Sequence, residues 1–95
     1  MEFGTYLVLS TAHVRCCTAE LLDGWAKLSA TEQPLPVSST HYGWFIPTRT
    51  DGGEAAKRLP AELPPILAFA RARGCDHVLF DCDGPTIAEL TDFPW

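Results

Sequence analysis

The apolar positions of this chain fall into short blocks whose spacing alternates between strand-like and helix-like. Thr5-Tyr6-Leu7-Val8-Leu9-Ser10 is apolar without alternation, the pattern of a strand covered on both faces. Val14, Cys17, Leu21, Trp25 and Leu28 follow at spacings of 3, 4, 4 and 3, one helical stripe over residues 12–28 that Ser10 or Thr11 can cap. After the Pro-containing connector 31–36, the β-branched and aromatic run from Val37 to Thr48 predicts strands near 36–40 and 43–48, with Pro47 marking an end or an edge. Residues 49–57, with Asp51-Gly52-Gly53, read as an exposed loop.

Pro64 and Pro65 are tolerated only in a first helical turn, which starts a second helix at about residue 64. Ile66, Leu67, Phe69 and Ala70 give its buried side, Arg71 and Arg73 load its C-terminal end, and Gly74 is the expected C′ residue. Asp76 to Cys82 is the last clear strand, and Ile87 to Trp95 is either a short strand or an apolar tail folded back on the sheet. The resulting β-α-β-β-α-β order predicts an α/β two-layer sandwich, ferredoxin-like or close to it. Strands 5–10 and 76–82 are expected to be central neighbours, with both helices on one face.

Ninety-five residues make a single α/β domain spanning 1–95, and 46% hydrophobic content with ten aromatic residues supplies a core. No apolar run reaches the roughly 20 residues that span a bilayer, and Met-Glu-Phe-Gly lacks the basic start of a secretory signal. The expectation is a cytoplasmic protein without a membrane partner.

Charge narrows the partner class further. The net charge is −5, and from Gly74 to Trp95 there are five acids and no Lys or Arg. Such a surface repels phosphate backbones, which argues against direct nucleic-acid binding, and attracts a basic protein surface, including one that normally holds nucleic acid.

Three constellations could carry chemistry. Asp81 and Asp83 enter a Gly84-Pro85 turn from an apolar strand, with both side chains on one face if the strand continues, a setting that suits Mg²⁺. Asx-type hydrogen bonding that caps the turn is the competing role. His13, Cys16 and Cys17 have the i, i+3, i+4 spacing that can share a metal on a helix, and Cys75 and His77 could join them. The cysteine spacings match no zinc ribbon, so reduced, partly buried thiols, no metal and no cofactor are expected. Tyr42, Trp44, Phe45, Phe93 and Trp95 are the aromatic candidates for a partner surface.

The phrase Val78-Leu-Phe-Asp-Cys-Asp-Gly-Pro-Thr86 resembles the opening of aspartyl phosphatases of the haloacid dehalogenase type. There the first Asp is the nucleophile and the second the proton donor. In those enzymes a long domain follows and supplies a Ser/Thr, a Lys and a further acid. Here a dozen residues follow with no Lys or Arg among them, so the phrase is read as strand and turn, and the protein as not an enzyme.

A second likeness covers most of the chain. Leu7-Val-Leu-Ser-Thr-Ala-His13, Tyr42-Gly-Trp-Phe45, Ala70-Arg-Ala-Arg-Gly-Cys-Asp76, Leu79-Phe-Asp-Cys-Asp-Gly-Pro85 and Phe93-Pro-Trp95 resemble a family of small proteins of unknown function carried on bacterial phages, plasmids and integrated elements. The resemblance implies no reaction or ligand. It implies a context in which small acidic proteins act by binding host machinery, anti-CRISPR proteins being an example. The expected function is therefore binding of a host macromolecule through Asp81, Asp83, Glu89, Asp92 and Trp95, with homodimerisation open. The alternative is metal-assisted phosphohydrolase-like activity at Asp81/Asp83.

Overall fold

The computed structural model describes residues 3–29, 31–33, 35–49 and 58–94. Its elements are β1 (Tyr6–Ser10), a 3-10 turn (Thr11–His13), α1 (Cys16–Ala26), β2 (Ser38–Ser39), β3 (Gly43–Pro47), α2 (Leu63–Ala72) and β4 (His77–Asp81). They form a small α/β protein with a four-stranded mixed sheet in the order β1-β4-β3-β2. β1 pairs with β4 in parallel, from Tyr6 opposite His77 to Ser10 opposite Asp81, while β3 is antiparallel to both β4 and β2.

The expected strands 5–10 and 76–82 are neighbours, but only β4 is central, and β1 forms one edge of the sheet. The order also departs from a ferredoxin-like closure, in which neighbouring strands all run antiparallel. The cause lies in the route through α2. This helix connects β3 to an antiparallel neighbour, so β4 arrives parallel to β1 and inserts between β1 and β3.

Register fixes which face is covered. Leu7 and Leu9 share a side with Val78 and Phe80, and Trp44 and Ile46 lie opposite those residues on β3. Leu9, Ile46, Val78 and Phe80 are fully buried in one cluster with Leu22 and Trp25 of α1 and Leu63, Ile66, Leu67 and Ala70 of α2. Both helices thus bury their apolar stripes against the same sheet face. The indole of Trp44 donates to Asp23 Oδ1 of α1 at 2.7 Å, fixing that helix over β3.

α1 corrects the sequence expectation in phase. Of the expected stripe Val14 and Trp25 are buried, but Cys17, Leu21 and Leu28 are exposed, and Thr18, Ala19 and Leu22 are buried in their place. The helix is broken at Val14 and Arg15, which are both extended. Glu62 Oε2 accepts the Arg15 N–H at 2.8 Å and the Thr18 hydroxyl at 2.7 Å, giving the new helix start a carboxylate cap from across the fold. The restart resets the helical phase. α2 ends as expected, at Gly74 with φ of 76°, where Gly74 N–H donates to Arg71 and Cys75 N–H to Ala70 in a Schellman arrangement.

Strand 36–40 shrinks to Ser38–Ser39. The described part of the tail after β4 forms no strand: it folds back as a non-regular segment to the end of β1 and the 3-10 turn, with Ile87 and Leu90 packed against the core. The expected loop at 49–57 lies almost wholly outside the described residues.

Candidate interaction surface

The acidic pair sits where β4 stops. Asp81 is the last strand residue, so Asp83 lies beyond the pleat and does not share a face with it by alternation. Instead the Asp83 N–H donates to Asp81 Oδ1 at 2.8 Å and the Gly84 N–H to the Asp81 carbonyl at 2.8 Å, the Asx turn expected from the sequence. Cys82 N–H donates to the Tyr42 carbonyl at 3.0 Å, tying this turn to the start of β3.

Asp81, Cys82 and Asp83 have ligand atoms within 4.8 Å of one another, and among the described residues no other such cluster occurs. His13, Cys16 and Cys17 do not assemble as a metal group. Both ring nitrogens of His13 bond backbone, and Cys16 and Cys17 are exposed free thiols. Cys82 is exposed too and Cys75 half-buried, so the thiols are more open than the sequence suggested.

The face of the sheet opposite the helices is where the aromatic residues collect. Register places Tyr6 and Val8 of β1, His77, Leu79 and Asp81 of β4, and Phe45 and Pro47 of β3 on that side. No described helix lies over it. Tyr6 meets Phe45 edge-on at 5.9 Å across β4, and Phe45 stacks on His77 at 4.6 Å with 10° between the planes. Tyr6 is 56% exposed and the others are half-buried, so the apolar run of β1 is covered on one face only. Acids mark both ends of the patch, with exposed Asp76 just before β4, Asp81 as its last residue and Asp83 just beyond it.

The remaining predicted residues divide. Trp44 is core, exposed Tyr42 makes an edge contact with His41, and Phe93 lies half-buried beneath the Arg15 guanidinium at 5.1 Å. Trp95 lies outside the described residues. Glu89 and Asp92 are exposed on the tail, away from the Asx turn in sequence and held by a separate anchor.

That anchor is His13, which is fully buried. Its Nε2 accepts the Ile87 N–H at 3.1 Å, which assigns the proton to Nδ1 and makes that nitrogen the donor to the Thr91 carbonyl at 2.9 Å. Ser10 N–H to Pro85 at 2.8 Å and Phe93 N–H to Ala12 at 2.7 Å extend the seam on either side.

A cleft of about 300 Å³ opens beside the seam, between the starts of α1 and α2. Glu62 at its rim titrates below its ordinary 4.5. Burial pushes it upward, but the Thr18 hydroxyl, the Arg15 and Glu62 peptide N–H groups and the Arg15 charge outweigh that. Sequence reasoning passed over Tyr6, Glu62 and the clamp role of His13, and it weighed His77 only as a metal ligand beside Cys75, not as the stacking partner of Phe45. The parity of Tyr6 and Val8 was the available signal for the first, whereas Glu62 and His13 act across long sequence separations.

Together these features define a mixed-sheet α/β protein with helices on one face, an aromatic face that no described helix covers and an acid-tipped turn. The chain belongs to the Family of unknown function (DUF5983) C-terminal domain, whose model matches residues 6–95. No curated protein and no solved structure matches it.

Proposed function

We propose that this is a non-enzymatic protein of a mobile element that binds a basic surface of another protein through the open sheet face. The observation that carries the reading is the uncovered patch of Tyr6, Phe45 and His77 with Asp76 at one end and Asp81–Asp83 at the other. Half-exposed aromatic groups supply the desolvated centre of an interface, and surrounding acids select a partner by charge and speed its approach. Glu89 and Asp92, exposed on the tail, add acidic surface toward the C-terminus, and Trp95 is retained from the sequence alone as the aromatic candidate anchor. The absence of Lys and Arg from Gly74 onward favours a partner site that ordinarily holds nucleic acid, of the kind a CRISPR effector carries, and so an anti-CRISPR type of inhibition.

The test is capture from bacterial lysate at low and high salt, with three baits compared: wild type, the triple reversal Asp83→Lys/Glu89→Lys/Asp92→Lys, and Phe45→Ser. A specific partner should weaken with salt, because screening limits exposed charges to about 8 Å at physiological ionic strength. It should be lost by both variants. Binding that survives both changes removes the reading.

The proximity of Asp81, Cys82 and Asp83 favours a second reading, metal-assisted phosphoryl hydrolysis. Turnover of a general phosphatase substrate with Mg²⁺ that vanishes in Asp81→Asn would promote it over the first.

A further inference from the structure

The cleft beside the His13 seam has a construction of its own, independent of the sheet face. Its floor is apolar, from Pro65 and Ile66 of α2 and Leu90 and Phe93 of the tail. Its polar groups differ in how far they are committed. His13 has spent both ring nitrogens on backbone, so it offers only a wall. Glu62 is directed toward α1 by the Arg15 N–H and the Thr18 hydroxyl. The Arg15 guanidinium makes no hydrogen bond among the described residues and rests on the Phe93 ring, which holds its planar fork at the mouth of the cleft.

We infer that this cleft binds a small apolar monocarboxylate, its carboxylate on the Arg15 fork and its apolar body on Ile66, Leu90, Pro65 and Phe93. A guanidinium with free donors pairs with a planar carboxylate through two parallel hydrogen bonds. Glu62 at the same rim penalises a doubly charged head, which excludes a phosphate monoester. An amine would meet the Arg15 charge at the mouth, and the Glu62 oxygen facing α1 already accepts the Arg15 N–H and the Thr18 hydroxyl, while a cavity near 300 Å³ sits at the lower end of ligand-pocket sizes, enough for a phenyl ring with a short chain.

Backbone-amide NMR titrations with 3-phenylpropionate, 3-phenylpropionamide and phenethylamine test the assignment. The carboxylate should give saturable shifts at Arg15, Ile66, Leu90 and Phe93, and the amide and amine should bind at least about tenfold more weakly, as loss of a charge-assisted pair demands. Arg15→Gln should weaken the carboxylate by at least about tenfold, with Arg15→Lys between the two, since a point charge keeps attraction and loses the fork. Arg15→Gln retains the peptide N–H that Glu62 accepts, and its dispersed spectrum verifies the fold. Equal binding of carboxylate and amide, unchanged affinity in Arg15→Gln, or no saturable shift at millimolar probe would each overturn the assignment.

Discussion

His13→Ala removes the clamp that fixes the acidic tail, and its cost can be worked from the contacts. Two hydrogen bonds disappear, to the Ile87 N–H and the Thr91 carbonyl. At a net 0.5–1.5 kcal/mol each they amount to about 1–3 kcal/mol. The imidazole is fully buried, so its removal leaves a void of roughly 50 Å³, and at about 24 cal/mol per Å³ this adds about 1 kcal/mol. The expected loss is therefore about 2–4 kcal/mol, a lowering of the thermal midpoint by about 10 °C or more in a domain this small. His13→Asn can still donate toward Thr91 but lacks the acceptor for Ile87, so it should lose about half as much. Denaturant unfolding followed by the buried Trp25 and Trp44 gives the global number. Amide exchange gives the local one: Ile87 and Phe93 should exchange at least about tenfold faster, beyond the change at Phe80. A loss below about 1 kcal/mol, or unchanged protection at Ile87, would show that the tail is held without His13.

Glu62 predicts an acid dependence. Because its folded pKa lies below the ordinary 4.5, its contribution is present above that value and fades as pH falls through the lower folded one. Glu62→Gln should accordingly cost up to about 1 kcal/mol near neutrality, screening limiting a partly exposed group, and the gap to wild type should close in denaturant titrations as pH falls through that lowered value. Gly84→Ala would set a Cβ 2.8 Å from the Leu9 carbonyl oxygen and 2.9 Å from its carbon, strand backbone that cannot yield. A loss of about 1–3 kcal/mol is expected in thermal unfolding, with faster exchange at Ser10, whose N–H bonds Pro85. Protein purified without chelators should carry less than one equivalent of zinc by elemental analysis, since the cysteines match no standard site. A full equivalent that disappears in Cys16→Ser would contradict this.

What was legible in the sequence was what local chemistry determines. The apolar blocks at 6–9 and 78–80 became strands, the two prolines opened α2, Gly74 closed it, and Asp81 capped its turn. Misreadings arose where distant residues decide. The stripe through Cys17, Leu21 and Leu28 presumed an unbroken helix, and the break at Val14–Arg15 is stabilised by a carboxylate from residue 62. The Tyr6–Leu9 run suggested a strand covered twice, because apolar residues on an uncovered face have the same pattern as those in a core. Sheet order was equally hidden, as β1 and β4 meet only after the rest of the chain has been placed. The acids were visible as a set, yet the structure joins Asp81 with Asp83 and sends Glu89 and Asp92 along the tail.

The most direct test of the open-face account is oxidative footprinting of the protein free and bound to the partner it captures. Free protein should label readily at Tyr6, which is 56% exposed, and at Leu21 and Leu28 on the helical side, which are 39% and 38% exposed. In the complex, labelling of Tyr6 and Phe45 should fall while Leu21 and Leu28 keep their rates. Protection of Leu21 and Leu28 with Tyr6 unchanged would place the partner on the helices and contradict the account.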